Sequence, residues 1–105
     1  MESVFKALSD ATRFAVVEAL ATGEKAVGEL AKPFDMALPS FMQHLKVLEE
    51  AGLIATRKEG RTRKCRLQAD TLKSAEHWLN VQREIWTKRL NQLDAYLLTM
   101  EDPEP

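Results

Sequence analysis

A mainly α-helical domain carrying one small β-hairpin is the fold class that this sequence predicts. Three observations predict it. Apolar residues recur at helical spacing in five separate blocks, a single basic stretch reads as two strands around Glu59-Gly60, and glycines and prolines fall between the blocks.

The elements follow in order. Val4, Phe5 and Leu8 form a short apolar helical turn, and Ser9 and Asp10 are N-caps for a helix that begins near Ala11, carries Phe14, Val17 and Leu20 on one stripe and stops at Gly23. Val27, Leu30, Ala31 and Phe34 repeat at three-to-four spacing, a short helix from about Ala26 that Pro33 and Phe34 break. After Asp35 and Met36, Pro39 sits where a first-turn proline is tolerated, and Phe41, Leu45 and Leu48 are the buried stripe of a helix ending at Gly52. Two short helices joined by a tight turn make a helix-turn-helix.

From Leu53 to Leu67, Leu53, Ile54, Cys65 and Leu67 supply apolar positions among basic residues, which makes an outward hairpin, the wing of a winged helix-turn-helix. Asp70 then caps a final helix through about Met100. On it Leu72, Leu79, Trp86 and Leu93 recur every seven residues, and Leu90 and Leu97 each follow four later.

The 105 residues give room for one domain, expected over 1–100, followed by an acidic tail at 101–105. Charges nearly cancel, 15 Lys+Arg against 16 Asp+Glu, so any polyanionic partner must be read from placement. Placement does point to one. Arg57, Lys58, Arg61, Arg63, Lys64 and Arg66 face the single anion Glu59, a net charge of +5 in ten residues. Basic edge residues also deter edge-to-edge strand pairing, but this hairpin follows a helix-turn-helix, which favours phosphate contact.

On the helix before it, Pro39, Gln43, Lys46 and Glu50 lie opposite the apolar stripe, an outer face that can enter a major groove. Gln43 can pair with adenine, Ser40 can reach a base or phosphate, and Leu38 or Met42 can pack on a thymine methyl. His44 lies beside the core stripe and reads as a hydrogen-bonding packing residue. The final helix carries more apolar surface than its own small domain can cover, which argues for a partner helix. At 1.5 Å per residue its length is on the order of 45 Å. Trp78 and Trp86 read first as dimer core and second as the lining of a small-molecule effector pocket.

Single Cys65 allows no intramolecular disulfide, and the N-terminus lacks the features of a secretory signal, so a cytoplasmic protein is expected. No apolar run approaches the roughly 18 to 20 residues that span a bilayer, so no membrane partner is expected. No catalytic constellation is recognisable, and an enzyme is the least favoured class.

The segments Phe5-Lys-Ala-Leu-Ser-Asp-Ala-Thr-Arg13, Val27-Gly-Glu-Leu-Ala31, His44-Leu-Lys-Val-Leu-Glu-Glu-Ala-Gly-Leu53 and Glu59-Gly-Arg61 closely resemble the arsenic-repressor-like (ArsR-type) bacterial regulators, from about Val4 to Leu98. The resemblance implies a sequence-specific, double-stranded DNA-binding transcriptional regulator, a homodimeric repressor or autorepressor. It implies dimerisation through the first and last helices, with Val4, Phe5, Leu8, Trp86, Leu90, Leu93 and Leu97 at the interface. It implies an inverted-repeat operator contacted by Leu38, Pro39, Ser40, Met42, Gln43 and Lys46, with wing contacts from Arg57, Lys58, Arg61, Arg63 and Lys64.

Many such regulators release DNA on binding a metal through cysteine pairs before the recognition helix or ligand sets on the last helix. Here Glu29-Leu-Ala-Lys-Pro33 holds no cysteine and the final helix offers only His77. The resemblance is therefore to the non-metal branch, and no metal or cofactor is expected. Ala37 and Leu38 stand where relatives usually carry polar residues, and Ala11 replaces a frequent proline. The apolar pair keeps open an alternative, a winged-helix protein-interaction module that binds no DNA.

Overall fold

The computed structural model describes residues 1–101, the last by its backbone alone, so the acidic tail falls almost wholly outside the described residues. Eight elements follow one another: α1 (Glu2–Leu8), α2 (Ala11–Leu20), β1 (Lys25–Ala26), α3 (Val27–Ala31), α4 (Leu38–Glu50), β2 (Ile54–Glu59), β3 (Thr62–Leu67) and α5 (Ala69–Glu101). The chain divides into two compact units, Met1–Ala75 and Glu76 onward.

The first unit holds the core. Val16 and Leu20 of α2, Leu30 of α3, Phe41, Leu45 and Leu48 of α4, and Leu53, Ile54 and Cys65 of the hairpin are all buried. The α4 stripe is the one expected from its spacing. The α2 stripe is not: Phe14 is 50% exposed and Val16 is wholly buried in its place. The two are about 200° apart on a helix, so burying Val16 with Leu20 turns Phe14 outward. Val4, expected at a subunit interface, is 4% exposed and packs within this core. Phe5 and Leu8 remain half-buried against the same core.

Asp10 caps α2, its carboxylate accepting from the Arg13 backbone N–H at 3.0 Å. The Arg13 guanidinium turns back to the C-terminal end of α1, where Nε donates to the Ala7 carbonyl at 2.7 Å and Nη2 to the Lys6 carbonyl at 3.4 Å. Both carbonyls are among the last of a helix; that of Lys6 also accepts from the Ser9 backbone N–H at 3.2 Å and Ser9 Oγ at 2.6 Å.

α4 ends in a Schellman turn. Gly52 N–H donates to the Glu49 carbonyl and Leu53 N–H to the Leu48 carbonyl, both at 3.0 Å, with Gly52 at φ +79°. Buried Leu53 therefore leads directly into β2, and the wing is held to the helix before it. Thr71 Oγ1 donates to the Gly52 carbonyl at 2.6 Å, fixing the first turn of α5 to the same corner.

The sheet has three strands in the order β1-β3-β2, all antiparallel neighbours. β1, with Lys25 paired to Cys65 and Ala26 to Lys64, takes in Ala26, where the spacing places the start of the next helix. Two residues are too few to show alternation, and only the partner strand makes them a strand. In the hairpin Glu59 pairs with Thr62, leaving Gly60 and Arg61 as the turn. Gly60 at φ +62° in the first turn position fits a type II′ connection. α5 starts at Ala69, so Asp70 lies inside its first turn and not at the cap. There its charge still favours the helix N-terminus.

The second unit is the remainder of α5. Its apolar side chains are open to solvent: Trp86 is 62% exposed, Leu90 53%, Leu93 50% and Leu97 44%. No helix among the described residues is long and apolar enough to cross a membrane.

Candidate nucleic-acid interface

The outward face of α4 is set by what its inward face buries. Phe41, Leu45 and Leu48 turn into the core, so Pro39, Ser40, Gln43 and Lys46 emerge on the exposed side. Leu38, the first residue of the helix, is 57% exposed. Met42, expected beside Leu38 at a thymine methyl, is half-buried against the core. Ala37 provides no side-chain cap, so the first turn presents unsatisfied backbone N–H groups beside Leu38. Glu49 and Glu50 lie at the other end, which leaves the N-terminal half as the side suited to a polyanion.

His44 faces inward from this helix. Its Nδ1 lies 3.2 Å from Arg13 Nη1 and 3.7 Å from the Asp10 carboxylate, the packing role its position suggests.

The wing's register sorts its cations. Arg57 opposes Lys64, and Lys58 opposes Arg63. Like charges directly opposite on adjacent strands are destabilising unless something neutralises them. For the first pair carboxylates do so: Arg57 is bound by Glu24 and Glu59, the latter at 3.2 Å, and Lys64 by Glu59 at 3.2 Å. For the second pair there is none among the described residues. Arg63 donates to Thr56 Oγ1 at 3.1 Å, while Lys58 shares its strand position with no anion. Arg61 at the turn and Arg66 nearer the base are likewise exposed without an ion pair among the described residues.

Glu24 is the residue that sequence reading missed. It lies 33 residues from Arg57 and its role exists only once β1 docks on β3. Thr56 Oγ1 in turn donates to Glu49 Oε2 at 2.8 Å, tying the wing to the last turn of α4.

Cys65 sits beneath this surface with no exposure. Burial, then the nearby Glu49 carboxylate, pushes its thiol up to about 11, so it is protonated at neutral pH and poorly suited to redox sensing. Among the described residues no group of three His, Cys, Asp or Glu side chains is placed to hold a metal ion.

Comparison with known proteins places this geometry. The helix-turn-helix domain family matches residues 8–57. An HTH-type transcriptional regulator of Mycobacterium tuberculosis is 39% identical over 85% of this chain and 80% of its own length. The transcriptional repressor SdpR of Bacillus subtilis is 32% identical over 75% of this chain and 88% of its own. A crystal structure of an ArsR family transcriptional regulator superposes with a TM-score of 0.79 at 49% identity, over 82% of this chain and 94% of that one. The homodimeric winged helix-turn-helix DNA-binding domain of a Mycobacterium bovis protein superposes with a TM-score of 0.63 at 29% identity, over 81% and 80%.

Proposed function

The chain belongs to the ArsR family of winged helix-turn-helix transcriptional regulators, and from that premise we propose that it acts as a cytoplasmic homodimeric repressor of an inverted-repeat operator. The observation that carries the reading is the opposed Lys58 and Arg63 on the wing, two like charges left without a carboxylate beside an exposed recognition-helix face. A phosphate backbone supplies the missing anions.

In this reading Gln43 and Ser40 address base edges, Leu38 packs on a thymine methyl, and Pro39 and Lys46 line the groove wall. Lys58, Arg61 and Arg63 contact phosphates directly, whereas Arg57 and Lys64 must first be released from Glu24 and Glu59. Dimerisation covers Trp86, Leu90, Leu93 and Leu97 of α5 together with Phe5 and Leu8 of α1. The exposure of the α5 residues supports this, since a stripe of that size is rarely left to water. Two recognition helices then meet half-sites about one helical turn apart, ~34 Å, or a multiple of it.

The test is selection from a random duplex pool, followed by titration of the winning sequence at several salt concentrations. Six to eight phosphate contacts per dimer give a slope of log K against log salt on the order of −5 to −7. Enrichment of an inverted repeat with such a slope is expected. No enrichment even at low salt would instead favour the protein-interaction module that the apolar Ala37-Leu38 pair makes conceivable.

A further inference from the structure

Within the first unit, α2, α3 and the turn after α3 border an open cleft of about 380 Å³. Ala15 and Ala19 of α2 form one wall, and Leu30, Pro33 and Phe34 form the other. The small side chains of α2 leave the space, and its size lies in the range of small-molecule sites, roughly 300–1,000 Å³.

One rim residue does not suit a passive groove. Lys25 pairs with Cys65 in the β1–β3 register, and directly opposed residues of an antiparallel ladder project to the same face. The Cys65 side chain is wholly buried, so Lys25 is directed to the core-facing side of the sheet, where it lines the cleft half-buried. Among the described residues it has no carboxylate within ion-pair distance. Glu29 also borders the cleft but is exposed, so water stabilises its charge.

We propose that this cleft binds a small monocarboxylic acid with an apolar body, its carboxylate on the Lys25 ammonium and its body against Ala15, Ala19 and Phe34. An ammonium at the rim of an apolar cleft, with no carboxylate within ion-pair distance among the described residues, can take a ligand carboxylate through a charge-assisted hydrogen bond. Glu29 repels a second negative charge, which selects against dicarboxylates.

The cleft connects to the recognition helix through one aromatic contact. The Phe34 and Phe41 ring centroids are 5.5 Å apart with planes at 31°, and Phe41 is the fully buried anchor of α4. An acid packed against Phe34 acts through this contact on the seat of Phe41. Acid and operator then oppose each other's binding by linkage. This regulatory half rests on the DNA-binding reading above; occupancy of the cleft does not.

The full chain is titrated without DNA against phenylacetate and octanoate, followed by amide NMR shifts, with phenylacetamide as the uncharged control. Saturable shifts at Ala19, Leu30 and Phe34 are expected. Affinity should fall at least roughly tenfold for the amide and for Lys25→Gln, which removes the charge at a half-exposed position. Ala19→Leu fills the cleft and should abolish the shifts, its own spectrum reporting whether it folds. No saturable shift with either acid, or equal shifts in Lys25→Gln, overturns the site.

Operator binding is measured in parallel. Release by the acid but not the amide supports the linkage, and unchanged operator affinity of the acid-bound protein overturns it. Failure to bind any duplex without acid counts against the DNA-binding reading, and the site is then judged on the NMR titration alone.

Discussion

Arg13 Nη1 lies 3.2 Å from His44 Nδ1, so one guanidinium joins the C-terminal end of α1 to the inward side of the recognition helix. A guanidinium can only donate, so His44 Nδ1 is the acceptor in this contact. Asp10, 3.7 Å from the same nitrogen, completes the junction and also caps α2.

Arg13→Ala leaves the Ala7 carbonyl and His44 Nδ1 without this donor, and a loss of about 1–3 kcal/mol in urea unfolding is expected. In a double-mutant cycle with His44→Ala the two losses should fall short of additivity by at least ~0.5 kcal/mol. Strict additivity would mean that the pair carries no energy of its own.

Gly52→Ala should destabilise by about 1–2 kcal/mol, because φ +79° is a left-handed conformation that an L side chain disfavours. The new Cβ would also meet Thr71 Oγ1 at 3.2 Å, the hydroxyl that bonds the Gly52 carbonyl. Denaturant midpoints measure the loss, and an unchanged midpoint would show that this corner relaxes freely.

Gln43→Ala should cost about 1–3 kcal/mol on the selected operator and relax preference at one base pair, whereas Lys58→Ala and Arg61→Ala should weaken all sequences alike. Glu24→Gln should act in the opposite sense. It frees Arg57 from one of its carboxylates and removes an anion from beside the wing, so affinity rises and the salt slope steepens by about one at most. Weaker binding by Glu24→Gln would show that the ion pair holds Arg57 in its productive position.

Cys65 should resist alkylation by iodoacetamide in the native protein near neutral pH and react once the chain is unfolded in urea. With the thiol pushed to about 11, its thiolate fraction at pH 7 is on the order of one in ten thousand. Rapid native labelling would indicate that the strand opens readily.

Asp10 gives the acid limb of stability. Its carboxyl is held below the ordinary 3.8, first by the Arg13 backbone N–H and then by the charges of His44 and Arg13 that offset its desolvation. A lowered folded value means that the contribution is complete above 3.8 and is lost as pH falls below it. Thermal midpoints of wild type and Asp10→Asn should therefore converge on acidification through that region. A gap constant with pH would show that Asp10 titrates alike folded and unfolded.

Periodicity and turn chemistry, both local to the chain, determined where the helices and the hairpin lie. The spacing of Phe41, Leu45 and Leu48 chose the buried face of α4 and so its outer one, and Gly60 located the wing between its two basic strands. Tertiary structure alone decided how those side chains are used. Glu24 meets Arg57 across 33 residues and Arg13 meets His44 across 31, and neither distance leaves a mark on local spacing. Val16 displaced Phe14 from the core, and Lys25 was turned toward a cleft by its pairing with Cys65, because burial and strand register follow from what packs alongside a residue. A helix's period is encoded within a few residues, whereas a charge's partner is created only when distant segments are brought together.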